Sequence, residues 1–355
     1  MIENYPSVLT RPVSIGHEFR GLNIAPPASF DTIPRGDDFY DLVESMMIDS
    51  QVTAAMGLRK RRALTANSHQ PDGDAQAVEI VQNVLDRLTW VHDIEDSLSA
   101  IEWGFCVQEI MWEVVDGMWM IESIELRDPR HFQFRYNKMT GSIDLLYNAN
   151  GAWHLAPERK FILHTYRATR ENPYGKSILE NCFPEWASKW LTAKYLARLG
   201  EKFLVPPIVA LTDSNDGKDL EKIGAQLAAL ENSMGAALSG VKELIQLKAT
   251  SEADALRNVI EFYNQGISKA LTSQTLALDA GDRGSYALGD VHAENLDALC
   301  AMDMDASHYK FNRTLLVWIC ELNGIAGRCR LPVNAMDKVM ESRVRKNQPA
   351  NDYMF

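Results

Sequence analysis

The triplet Gly175-Lys176-Ser177 has the residue types that end a nucleotide-binding P-loop. There, glycine lets backbone N–H groups approach the phosphates, the lysine reaches the outer phosphates and the hydroxyl ligates magnesium. That loop also needs a glycine at the position held here by Arg170, whose side chain would occupy the phosphate space. Asn172 and Pro173 further interrupt the run of free N–H groups that a phosphate nest requires. What remains is a turn feeding a helix, in which Gly175 allows the bend and Ser177 caps. His17-Glu18 opens like the zinc-protease motif HExxH, but Gly21 stands where the second histidine belongs. Asp303, Asp305 and His308 read as hydrated residues of a surface helix, and His164 as a structural histidine in a strand. There is no GxSxG nucleophile elbow. No catalytic residue, cofactor or metal is therefore expected.

Two basic features carry more information. Arg59-Lys60-Arg61-Arg62 is the densest cationic run. It reads first as a solvated helix end, favoured by the dipole there, and second as a contact for phosphates or an acidic partner. Lys194, Arg198 and Lys202 recur at i, i+4 and i+8, one stripe of a helix. Trp186, Trp190, Ala193 and Ala197 form an apolar stripe on the same helix, widened by Tyr195, Leu199 and Phe203. A helix apolar on more than one side needs several neighbours, from its own chain or from the next copy in a ring.

These residues must be positioned by a chain of 355 residues with 46% apolar and 24% charged content and a net charge of −12. Such a composition supports a sizeable core. The acidic balance disfavours tight sequence-independent coating of nucleic acid, and is compatible with a protein that lets DNA slide past without sticking. The five cysteines are odd in number with no CxxC pair, and read as reduced thiols of a protein made in the cytosol. No signal peptide and no apolar run of membrane-spanning length is visible.

Residues 1–35, rich in Pro, Ser and Gly, read as an extended arm. Apolar spacing then predicts helix from Asp37, with Phe39, Leu42, Val43 and Met46 on one face. Further helices are expected at 75–88 and 93–103. Alternation around Asp116-Gly117 predicts a hairpin, and short strands should follow up to Tyr166, forming a small antiparallel sheet. Long helices are expected near 185–204, 251–278 and 294–322. Between the first two lies an insert of strand, helix and strand. The fold class is α+β.

Two stretches resemble one family. "NPYGKSILENCFPEWASKWLTAKYLARLGEKFLVPPIV" is similar to the segment of tailed-phage portal proteins in which a Gly-x-Ser turn opens a long helix ending in a Pro-bearing strand. "GISKALTSQTLALDAGDRGSYALGDVHAENLDAL" resembles the Mu-like branch of that family, and "YDLVESMMIDSQVTAAMGLRKRRAL" its opening helix. The resemblance covers roughly residues 35–325. It implies a ring, usually of twelve subunits, at one capsid vertex of the virion. That ring is the channel for DNA packaging and ejection. It also docks the terminase large subunit, the head–tail connector or adaptor protein and the major capsid protein.

Mapped onto this chain, the family's wing is 36–175, its stem helices 176–204 and 251–278, and its clip 205–250. A tunnel-loop region with a wing helix falls at 279–325, and a short tail at 326–355, whose polar end from Leu331 reads as loosely held, leaves the crown absent or rudimentary. Candidate DNA-channel residues are Lys194, Arg198 and Lys202 on the stem and Asp282, Arg283 and Ser285 on the loop. The stem stripe could instead face the capsid shell. The alternatives are a DNA-processing or motor enzyme, which would hydrolyse ATP and depend on Lys176, and a small head–tail adaptor without a channel of its own.

Overall fold

The computed structural model describes residues 37–65, 69–137, 139, 141–204, 208–213, 216–231, 241–246, 250–273, 286–334 and 337. The arm at 1–35 therefore lies outside the described residues. The chain divides into two units, one of residues 1–184 with 266–355 and one of residues 185–265.

The larger unit opens with α1 (Asp37–Met47) and α2 (Ser50–Thr65). The side chain of Asp49 separates them by accepting the N–H groups of Gln51 at 2.9 Å and Val52 at 3.3 Å, an N-cap. The predicted face of α1 is the buried one: Phe39, Leu42, Val43 and Met46 are all at most 5% exposed. A two-residue strand β1 (Asp72–Gly73) and α3 (Ala75–Leu85) follow. The single helix expected at 93–103 is two, α4 (Trp90–Ser97) and α5 (Ala100–Trp103). Ser97 and Ser99 lie at the break and bond back to the carbonyls of Ile94 and Asp96, offering the backbone an alternative to continued helix.

The strands divide into two three-stranded antiparallel sheets, where the sequence suggested one. The first orders β3 (Met118–Arg127), β2 (Phe105–Val115) and β7 (Phe161–Thr165). The second orders β4 (Phe132–Tyr136), β5 (Ile143–Ala149) and β6 (Ala152–Leu155). The predicted hairpin is present: Asp116 and Gly117 both take positive φ, 53° and 81°, the type I′ signature. Pro129, in a short 3-10 turn at Pro129–His131, leads the chain out of the first sheet into the second. Edge-on aromatic contacts join the two: Phe105 of β2 meets Phe134 of β4 at 5.3 Å, and both meet Tyr174, at 5.7 and 4.7 Å.

Late helices close the unit. The helix expected at 294–322 is α9 (Tyr286–Arg313) and α10 (Leu315–Leu322), broken at Thr314, whose φ and ψ are −124° and −86°. The Thr314 hydroxyl bonds to the Lys310 carbonyl at 2.8 Å. α9 packs on α2 and β7, and α10 on α3. The tail also departs from expectation in its first part. β10 (Cys329–Arg330) pairs with β1, Leu331 is fully buried, and Asn312 holds the Leu331 backbone at both N–H and carbonyl, at 2.6 and 2.8 Å. A buried leucine and paired backbone outweigh the polar composition read there.

The smaller unit contains most of α6 (Phe183–Leu204) and the start of α8 (Thr250–Thr272), with an insert between them. The insert is β8 (Ile208–Leu211), α7 (Gly217–Glu231) and β9 (Glu243–Gln246). β8 and β9 are antiparallel, Asp216 caps α7 through the Lys218 N–H at 3.1 Å, and Lys242 pairs with Asp213.

Candidate functional site

The Gly-Lys-Ser turn has no backbone donors to spare for a phosphate. The N–H of Gly175 goes to the Asn172 carbonyl at 3.3 Å and that of Lys176 to the Tyr166 carbonyl at 2.8 Å. The Ser177 N–H goes to the Glu180 carboxylate at 3.1 Å, and the Leu179 N–H to the Ser177 hydroxyl at 3.1 Å. The last two form a reciprocal capping box. The element it caps is a 3-10 turn, Ile178–Asn181, so Ser177 does not cap the long helix as expected, and that helix begins at Phe183, close to the expected Glu185. Cys182, with φ near −108°, separates turn and helix, and Pro184 sits in the first helical turn, where its missing N–H costs nothing.

Gly175 has φ of 69°. A Cβ there would lie 2.5 Å from the Tyr166 carbonyl oxygen and closer still to that of Gly104. The Ser177 hydroxyl also donates to the Glu102 carbonyl, so the turn is pinned to the end of α5. The Lys176 ammonium is half exposed and comes no nearer than 3.9 Å to the Glu180 carboxylate, a long ion pair.

α6 presents the basic stripe. Lys194 places its ammonium 3.4 Å from the centroid of the Trp190 ring, a cation–π pair one turn apart. Arg198 is exposed. Lys202 lies on the helical backbone, but its side chain is outside the described residues, as are Asp282, Arg283 and Ser285. Of the four apolar positions, Trp186 is buried, whereas Trp190, Ala193 and Ala197 are exposed.

The cationic run on α2 is no solvated helix end. Arg59 is 1% exposed and grips Asp303 of α9 with Nε at 2.6 Å and Nη2 at 3.0 Å. Its Nη1 donates to the Leu271 carbonyl in the last turn of α8, and Nη2 also reaches the Tyr166 hydroxyl. Burial opposes the charge, but the hydrogen bond and charge of Asp303 outweigh it and hold Arg59 above the ordinary guanidinium value. Lys60 pairs with Glu102 at 2.7 Å and Arg62 with Asp297 at 2.5 Å. Arg61 alone of the run is exposed.

Asp303 and His308 are correspondingly buried, and not hydrated as expected. Asp303 lies between Ala301 and Met304, both fully buried, and that apolar context is the sequence signal that could have placed it inside. Burial holds His164 near 3, assisted by the charge of Lys310, so its imidazole stays neutral in the strand. No group of three or more metal-ligating side chains occurs among the described residues. His17 and Glu18 lie outside them.

The fold has relatives. A chain of the virion of a native gene transfer agent particle superposes with TM-score 0.61 at 11% identity, over 88% of this chain and 90% of that one. A chain from the neck of the native particle, computed with C12 symmetry, gives 0.61 at 12% identity over 91% of each. In sequence, the portal protein of Escherichia phage Mu is 24% identical over 263 residues, 71% of this chain and 51% of that protein. The chain thus spans about half the length of that curated relative. The sequence model for the portal protein of Mu bacteriophage matches residues 40–345, nearly the whole described chain, and the chain belongs to that family.

Proposed function

We propose that this chain is the protomer of a portal ring at one vertex of a phage capsid, through which DNA is packaged and ejected. The family match over residues 40–345 carries the reading. The C12 symmetry of the neck that holds the similar chain supports a ring of about twelve copies. In this reading residues 36–175 with the 279–325 segment are the wing and tunnel loop, α6 and α8 the stem, and 205–250 the clip. The clip meets the terminase motor and later a head–tail connector, and the wing meets the major capsid protein. The ring is part of the virion.

The chain itself performs no catalysis. The turn that most resembles a nucleotide site spends its N–H groups internally, and work on DNA comes from a separate ATPase. Lys194, Arg198 and Lys202 give α6 a few cations on an otherwise acidic chain. Such a surface touches phosphates without holding them.

Electron microscopy of the purified protein, alone and with its capsid protein, tests the reading. Closed rings with a central hole are expected. A protein that stays monomeric at high concentration and in capsids overturns it.

A further inference from the structure

Within the larger unit a cavity of about 300 Å³ opens between α9, the α4–α5 corner and the end of β7. Its walls are mostly apolar, including Leu98, Ile101, Leu299 and Met302. Two cations line it, Lys310 and Arg167. Lys310 has no acceptor for its ammonium among the described residues, and Arg167 has no carboxylate there. Arg167 lies only over the Tyr166 ring, at 5.1 Å.

The one carboxylate in the lining, Asp303, is already neutralised by Arg59. The hydroxyls of Ser97 and Ser307 bond each other at 2.5 Å. The cavity therefore carries a net positive charge that nothing in this unit's described residues satisfies. Arg167 also has φ of 51°, a conformation that non-glycine residues seldom adopt and that recurs at ligand clamps. Burial lowers the Lys310 ammonium from its ordinary value, as expected for a cation lacking a counter-ion.

We propose that this cavity binds a carboxylate carried on an apolar body, the charge meeting Lys310 and Arg167 and the body filling the space beside Leu299 and Met302. Apolar walls and two single cations favour a monoanion over a phosphate, which needs more donors than this lining supplies. The carboxylate belongs to a free organic acid or to the end of a peptide. The inference does not depend on the portal reading, because the site lies within one chain.

The probes are phenylacetate as free acid, N-acetylphenylalaninate as peptide end, phenylacetamide as neutral isostere and inorganic phosphate. Each is titrated into the full chain by ligand-observed NMR. A saturable response on the order of 1 mM is expected from at least one carboxylate, weakened about tenfold in Lys310→Met and absent for the amide. The stronger of the two carboxylates identifies the source. Ala306→Leu, which narrows the cavity and keeps both charges, should weaken binding as well and guards against a folding defect in Lys310→Met. Equal response to phenylacetamide, a response to phosphate alone, or an unchanged response in both variants overturns the proposal.

Discussion

At the scale of single residues, the buried Arg59–Asp303 pair has a large energetic consequence. Removing one partner leaves the other charged and desolvated, which typically costs about 3 to 5 kcal/mol. Asp303→Asn should lower the denaturation midpoint sharply, and Arg59→Met combined with Asp303→Leu should be far less damaging than either single change, as chemical denaturation would show. The composition alone could not announce this pair, since the partners stand 244 positions apart and a run of four cations reads as surface. Asp93 offers a second test. Burial, then the neighbouring charge of Asp96, pushes its carboxyl from 3.8 up to about 7, and its Oδ2 has no hydrogen-bond partner among the described residues. The folded state therefore favours the protonated form. Its contribution is present below the unfolded value and is lost as pH rises through about 7. Asp93→Asn should match the wild type near pH 4 and exceed it near pH 8 by on the order of 2 kcal/mol. The comparison must be a difference between variants, because His164, lowered to about 3, gives the opposite slope on the acid side in both proteins. Equal stability of the two proteins at pH 8 would count against a carboxyl that burial raises to about 7.

At the scale of elements, the turn before α6 separates what a motif suggests from what a backbone needs. Gly175→Ala should cost more than about 2 kcal/mol, combining a left-handed φ with a Cβ pressed against two carbonyl oxygens that belong to paired backbone. Ser177→Ala should cost about 1 to 2 kcal/mol, since its hydroxyl both caps Leu179 and binds Glu102. Lys176→Ala should stay within about 0.5 kcal/mol, because its ion pair is long and half exposed. Thermal melts of the three variants check the ranking, and a Lys176→Ala variant as unstable as Gly175→Ala would contradict it. Elements whose demands are local were legible from sequence. Asp116-Gly117 forces a type I′ turn, and the buried spacing Phe39, Val43, Met46 forces a helix face. The division into two sheets was not legible, because strand partners such as Cys106 and His164 are chosen by long-range register. Nor was the break at Thr314, where a hydroxyl competes for the Lys310 carbonyl inside an apolar run.

At the scale of the whole molecule, charge distribution decides how the proposed channel behaves. The chain carries −12 overall, and α6 presents Lys194 and Arg198 with Lys202 further along the same helix. A protein that grips DNA through many phosphate contacts shows a steep fall of affinity with salt, close to one unit of logarithmic slope per contact. With three candidate contacts per subunit, the slope for nonspecific duplex binding should be shallow, no steeper than about −3 for a single protomer's footprint. Lys194→Gln and Arg198→Gln should each flatten it by about one unit if these side chains face the channel. Lys194 has the weaker claim, since its ammonium already sits on the Trp190 ring and would have to leave it to reach a phosphate. Arg198, exposed on the helix, has the stronger one. If the stripe faces the capsid shell instead, the slope will not change in either variant, and a photocrosslinker at position 198 will trap capsid protein in place of DNA. The two outcomes separate a channel wall from an outer docking face without relying on phage growth, which either role would abolish.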